Sequence, residues 1–366
     1  MSGKTLIRKY RPLQLDDLIG QERIAATLKK AVQHDRVADA YLFAGNRGCG
    51  KTSSARILAM LLNCENVKDF KVCGKCHACT SIHSGLAMDV REVDAASNNG
   101  VEDARRLIEA SSHGPQVLKR KVYIIDECHE LTGRANNALL KVIEEPPSYL
   151  TFVFCTTEPD KMLPTVLSRC QKHEFRRIPS KTIALHLLEL AKEEKINIAN
   201  DAAYFLAQKA EGSMRDAIGY LDQIGTLAAD KEITEVHARK LFGSADRIAI
   251  LDMIKAMKNG NLPLVMDQVN DMVLSCARPM AIMKEVLKVF RDLMVIKASG
   301  GSVKNVDLPD HEIKKLMDVG EDLSLGGLVK LQLNLANVEE KMRYHVDDRG
   351  LMEAALIQSI TFLKCK

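Results

Sequence analysis

The residues Gly45 to Thr52 read GNRGCGKT and follow the pattern G-x-x-x-x-G-K-[ST]. Glycines in such a loop let consecutive backbone N–H groups turn inward, making a cradle for the α- and β-phosphates of a nucleotide. Gly45, Asn46, Arg47, Gly48, Cys49 and Gly50 supply the cradle, Lys51 reaches the β- and γ-phosphates, and the Thr52 hydroxyl is a ligand for Mg²⁺. Asp126-Glu127 offers the complementary half: a carboxylate for the Mg²⁺ shell, Asp126, and a base that can polarise an attacking water, Glu127. Paired carboxylates alone say little, but downstream of a complete phosphate loop they complete a phosphoryl-transfer site. A third group, Cys64, Cys73, Cys76 and Cys79, is spaced C-x8-C-x2-C-x2-C. Its interlocked C-x2-C steps put thiolates on one tight knuckle that Cys64 can close into a tetrahedron, which predicts a structural Zn²⁺ site with no open position for water. Replacement of one ligand by His77 or His83 is a variant of the same site.

These groups need elements to hold them. The apolar run Tyr41 to Ala44 feeds the glycine loop, and Ser53 to Leu62 continues as good helix formers, so the loop sits between strand and helix, where the helix dipole adds to the anion site. KVYIID, Lys121 to Asp126, reads as a buried parallel strand ending in the acidic pair. Thr151 to Cys155 is another apolar strand, and at its end Thr157, with Thr156 next, is placed to touch a γ-phosphate or position water; a plain β-branched strand end is the competing reading. Before the loop, Tyr10, Arg11, Pro12 and the Leu18-Ile19-Gly20 turn either wall a base pocket or form a surface arm with a buried Ile. Val90 to Asp94 is a short strand, and Asn98 or Asn99 is expected to cap a helix running to Ala110; its start is either a phosphate-backbone contact or an ordinary capped helix. A helix is expected over Gly133 to Glu145, and VLSRC places Arg169 before a strand from His173 to Arg176.

From Ser180 the β character stops. Helices are expected over Ile183 to Lys195 and Ala202 to Ala210, and EGSMRDA puts Arg215 at the start of a third, capped by Ser213, within reach of a phosphate. Phe242 and Gly243 mark the next boundary, after which the chain reads as wholly helical, interrupted near Ser299 to Pro309 and Leu323 to Gly327. The 366 residues, 46% of them hydrophobic, support two or three domains with proper cores. Met1 to Ile178 holds 27 Lys+Arg against 21 Asp+Glu and the remainder 25 against 27, a mild bias of the N-terminal part toward a polyanion. No apolar run approaches the roughly 18 residues of a membrane span and the N-terminus lacks the apolar core of a signal peptide, so a cytoplasmic protein without a membrane partner is expected, its ten cysteines reduced or metal-bound.

In one order along the chain stand Arg8-Lys9-Tyr10-Arg11-Pro12, GNRGCGKT, the four spaced cysteines, DAASNNG, IIDECH, EEPP, TTEP, LSRC and EGSMRDA. Together they closely resemble the gamma/tau subunits of the bacterial DNA polymerase III clamp loader, a family of AAA+ ATPases. The resemblance implies an α/β AAA+ phosphate-loop domain over residues 1–178 with a zinc module inserted at about 64–79, a small helical lid domain over 179–243, and an all-α collar domain for oligomerisation over 244–366. It implies ATP, Mg²⁺ and Zn²⁺ as cofactors. Lys51 and Thr52 would bind phosphate and Mg²⁺, Asp126 and Glu127 would be the acidic pair with Glu127 the catalytic base, and Thr157 would be the first sensor. Arg215 would be the second sensor, Tyr10 and Arg11 part of the nucleotide pocket, and Arg169 the arginine finger reaching an adjacent subunit's ATP.

The function so implied is that of an ATPase subunit in a pentameric loader that opens a sliding clamp and closes it on primer-template DNA without regard to sequence. Its partners would be delta- and delta-prime-type subunits, further copies of itself, the clamp and DNA. Because the chain ends at Lys366 with the third domain, the resemblance implies a form lacking the C-terminal extension by which long members bind helicase and polymerase. Two rivals are a non-hydrolysing scaffold that binds nucleotide for assembly, which the intact Lys51, Glu127 and Arg169 oppose, and another AAA+ remodelling motor, which has no use for the collar or the cysteines.

Overall fold

The computed structural model describes residues 5–227, 232–243, 245–275, 277–303, 306, 308 and 310–364. By contacts the chain divides into two compact units, Met1–Lys231 and Glu232–Lys366. The division falls ahead of the boundary expected after Gly243, because the helix ending at Phe242 lies on the far side of it.

The first unit is built on a five-stranded sheet, β1 (Ala40–Gly45), β2 (Val90–Asp94), β3 (Lys121–Asp126), β4 (Leu150–Thr156) and β5 (Gln171–Phe175), in the order β2-β3-β4-β1-β5 with every pairing parallel. A parallel sheet needs crossover helices on its faces, so its central strands are covered on both sides and read as unbroken apolar runs. The side chains of β1 divide accordingly: Tyr41 and Phe43 join one core cluster with Leu28, Ile57, Leu58 and Val153, while Ala40 and Leu42 join another with Leu107, Tyr123, Leu139 and Phe152. The edge strands β2 and β5 instead expose charges, among them Arg91, Glu92, Lys172 and Glu174, which discourages pairing with other chains.

Around the sheet lie α1 (Leu6–Lys9), α2 (Glu22–Gln33), α3 (Lys51–Asn63), α4 (His77–Ser84), α5 (Val101–Ser111), α6 (Gly133–Glu144) and α7 (Pro164–Leu167). The N-cap of α5 is Gly100, not Asn98 or Asn99: the Asp103 carboxylate accepts the Gly100 N–H at 3.3 Å, while the Asn98 amide turns back to the Asp94 carbonyl at 3.1 Å. An asparagine so engaged is unavailable to the helix N–H groups. Three helices close the unit, α8 (Ser180–Glu194), α9 (Asn200–Lys209) and α10 (Met214–Leu227), and α1 packs on α10.

The second unit is all-α: α11 (Glu235–Phe242), α12 (Arg247–Lys258), α13 (Leu262–Leu274), α14 (Pro279–Ala298), α15 (Asp310–Gly320), α16 (Leu325–Met342) and α17 (Asp348–Lys364). One continuous apolar core runs through it, with Leu251, Ile254, Phe290, Leu331 and Leu356 among its fully enclosed members.

Candidate nucleotide-binding site

The register of the sheet decides what meets at its C-terminal edge. Ala44 of β1 stands opposite Thr156 of β4, and Ile125 of β3 opposite Phe154, so the phosphate loop, the acidic pair and the β4 exit emerge side by side. The loop leaves β1 at Gly45, where a side chain would meet the Phe175 carbonyl at 2.4 Å, and turns through Gly48 at φ 72°. A Cβ at Gly48 would fall 2.0 Å from Ser213 Oγ, and the Gly48 carbonyl accepts the Met214 N–H at 3.1 Å. The loop is thus bonded to the start of α10, which Ser213 caps by accepting the Asp216 N–H.

Lys51 is 6% exposed, and its ammonium donates to the Gly45 and Asn46 carbonyls at 2.7 and 2.9 Å. The Thr52 hydroxyl donates to Asp126 Oδ2 at 2.8 Å. Burial pushes the Asp126 carboxyl up from its ordinary value and the Glu127 charge adds to that, while the Thr52 bond opposes it. A carboxylate kept in such a place is short of positive charge, and with Thr52 it forms a hard-oxygen pair of the kind Mg²⁺ takes.

The cleft above the loop is lined on its phosphate side by Arg47, Lys51, Thr52, Asp126, Glu127 and Arg215. Its apolar wall comes from Pro12, Leu18, Ile19, Ile178, Met214 and Ile218. Tyr10 and Arg11 line it as well, which supports the wall reading of the N-terminal segment over the surface arm. Burial, with Arg56 next, lowers the Arg11 guanidinium from its ordinary value, and Arg215 and Arg8 add to the crowding of cations that an anionic ligand relieves. Ile178, His186, Met214 and Ile218 escaped the sequence reading; they are distant in the chain from the loop, and only the EGSMRDA helix start hinted that its neighbours belong here.

Three family profiles match in succession: "DNA polymerase III, delta subunit" over residues 20–179, "DNA polymerase III clamp loader subunit, ATPase lid domain" over 182–227, and "DNA polymerase III subunits gamma and tau domain III" over 233–362. The chain is 38% identical over 320 residues to the DNA polymerase III subunit gamma/tau of Mycobacterium tuberculosis, covering 87% of this chain and 54% of that one. It is 37% identical to the subunit tau of Bacillus subtilis, with 82% and 53% covered, and 33% identical to that of Escherichia coli, with 99% and 56% covered. The chain belongs to the DNA polymerase III gamma/tau family. It spans about half the length of the curated relatives it matches.

The remaining motif residues of this gamma/tau chain lie outside the cleft. Thr157 donates through its N–H and its hydroxyl to Glu127 Oε2, at 3.3 and 3.1 Å, so the β4 exit holds the acidic residue. Arg169 does not line the cleft; its guanidinium is paired with Glu144 at 2.6 Å and donates to the Thr165 carbonyl at 2.8 Å. The sulfur atoms of Cys64, Cys73, Cys76 and Cys79 lie within 4.8 Å of one another, the one such group of potential ligands among the described residues. The N–H groups of Cys73, Cys76 and Cys79 point at the sulfurs of Cys64, Cys73 and Cys76. Backbone N–H groups pull the Cys73 thiol down to about 6, and burial pushes Cys79 up. His77 and His83 are not in the group. Asn98 and Asn99 are exposed at the start of α5, and Arg105 pairs there with Glu102 at 2.7 Å. No described helix is long and apolar enough to cross a membrane.

Proposed function

We propose that this chain is an AAA+ ATPase subunit of a clamp-loader assembly, which binds ATP and Mg²⁺ in the cleft and couples hydrolysis to opening and loading a sliding clamp on primer-template DNA. The observation that carries the reading is the convergence of Lys51, Thr52, Asp126 and Glu127 beneath one cleft whose far wall is the lid helix α10. Thr52 and Asp126 would hold Mg²⁺, which would supply positive charge against the charge that develops on the phosphates. Lys51 exchanges its carbonyl partners for phosphate, the loop N–H groups orient the triphosphate, Arg215 meets it from the lid, and Glu127 takes the proton of the attacking water. The apolar wall excludes water from the base. Further gamma/tau copies and delta- and delta-prime-type subunits would complete the ring through the helical unit.

Arg169 serves the neighbouring subunit's ATP, consistent with its place outside its own cleft. Arg169→Ala should leave nucleotide binding by the mutant chain intact while the assembled complex loses on the order of 10³-fold in hydrolysis. Mixing it with Lys51→Ala in a reconstituted loader should restore part of the ATPase activity, because some interfaces then pair an intact Lys51 with an intact Arg169. Loss of nucleotide binding by isolated Arg169→Ala, or unchanged turnover of its complex, would disprove the assignment.

The cysteine group holds Zn²⁺. Four sulfurs around zinc at about 2.3 Å stand about 3.8 Å apart, and Cys64 and Cys76 stand at 4.0 Å. Elemental analysis should find one zinc per chain, and stripping it should make the backbone around 64–79 exchange-labile while ATP binding persists. DNA is met by the α5 start with Arg105 through phosphates, so affinity should fall with salt and ignore base sequence.

A further inference from the structure

The turn after β3 is under local strain. Glu127 sits at φ 47°, a left-handed conformation that a residue with a Cβ keeps only where its surroundings over-determine it. Part of that constraint is the pair of bonds from Thr157. Another part comes from His129, whose side chain is only 5% exposed and fills the space between the exits of β3 and β4. Its Nδ1 lies 3.0 Å from Thr156 Oγ1, an oxygen that also accepts the Glu158 N–H at 3.0 Å, and 3.5 Å from Glu127 Oε2. Its Nε2 lies 3.2 Å from Glu130 Oε1 and 3.4 Å from Glu158 Oε1. Both neighbours are acceptors, so Nε2 carries a proton. One ring therefore touches Glu127 and Glu130 on one exit and Thr156 and Glu158 on the other.

We propose that His129 is a positioning residue for hydrolysis: it fixes the Thr156–Glu158 segment against the Glu127 turn and so sets the two Thr157 donors that aim the Glu127 carboxylate. This rests on the reading of Glu127 as the base. His129 does not line the cleft, so its removal alters the reaction rate and not nucleotide affinity. A packing role alone makes a different forecast, because any side chain of similar volume would then serve.

The test compares His129→Leu, which keeps volume without polar atoms, with His129→Asn, which keeps a polar atom where Nδ1 stands. Thr156→Val removes the partner hydroxyl, and with it the acceptor of the Glu158 N–H, while leaving the histidine untouched, so it reads the anchoring of the same segment should the leucine variant not fold. All are measured in the full assembly with clamp and primer-template DNA, beside wild type and Glu127→Gln, for kcat, KM for ATP and nucleotide affinity. His129→Leu and Thr156→Val should lower kcat on the order of 10- to 100-fold, as expected when a reacting group shifts by about an ångström. KM and affinity should stay within about twofold, and His129→Asn should recover most of the lost rate. Wild-type kcat in Thr156→Val, or equal losses in the leucine and asparagine variants, would overturn the proposal while leaving Glu127 as base. If Glu127→Gln itself turns over like wild type, the reading of the base falls, and the role of His129 with it.

Discussion

Lys51 in the first unit and Arg247 in the second are both buried cations, and the two are partnered in opposite ways. Lys51, 6% exposed, has only the neutral carbonyls of Gly45 and Asn46 for its ammonium. Arg247, 5% exposed, has the Glu285 and Asp292 carboxylates at 2.8 and 2.6 Å and Glu312 at 3.4 Å. A carbonyl can hand the lysine over to an incoming phosphate at little cost, whereas carboxylates on α14 and α15 consume the arginine's charge permanently. The same physical feature, a buried positive charge, stores ligand affinity in one unit and structural specificity in the other.

The comparison breaks most visibly at Arg247. Arg247→Ala should destabilise the helical unit by about 3–5 kcal/mol, because it leaves buried carboxylates without a counter-charge; thermal unfolding should show this with nucleotide binding unchanged. A stability loss under about 1 kcal/mol would mean that the carboxylates simply take up protons.

A middle case is an anion. Asp89, 1% exposed, accepts the N–H groups of Gln116, Val117 and Leu118 at 2.8–2.9 Å. Burial works to raise its carboxyl, but these bonds outweigh it and hold the group below its ordinary 3.8. Asp89→Asn should cost about 1–3 kcal/mol at neutral pH. Because the folded value is the lower one, that contribution is complete above 3.8 and is lost as pH falls through the folded value, so wild type and variant should converge in acid.

The smallest stability effect is forecast where the functional one is large. Lys51→Met should shift stability by less than about 1 kcal/mol, since only bonds to neutral carbonyls are lost, yet weaken nucleotide binding roughly 10- to 100-fold. Calorimetry and nucleotide titration on one preparation check both halves.

What the sequence made legible follows from how local each signal is. The glycine loop, the acidic pair at the end of β3 and the cysteine spacing are each carried by contiguous or nearly contiguous residues, and the unbroken apolar runs of β1, β3 and β4 follow from double-sided burial. The Arg247 cluster was invisible, because its partners at 285, 292 and 312 come together only when α12, α14 and α15 pack, and an isolated arginine in a helix reads as solvated. The cleft's apolar wall was half seen: Leu18 and Ile19 stand in the segment ahead of the loop, while Ile178 follows β5 and Met214 and Ile218 come from α10. The Asn98 cap failed because an asparagine's own backbone neighbours compete for its side chain.

Gly48 carries a consequence for exchanging parts between relatives. Its bare Cα admits Ser213 Oγ, and its carbonyl holds the first N–H of the lid helix α10, so loop and lid meet in a joint without play. A lid grafted from a relative would bring its own residue to the place of Ser213 and meet a loop shaped for a hydroxyl. Loop and lid are therefore a single heritable part, and a chimera that swaps one without the other should assemble both folds and still fail to close over its nucleotide.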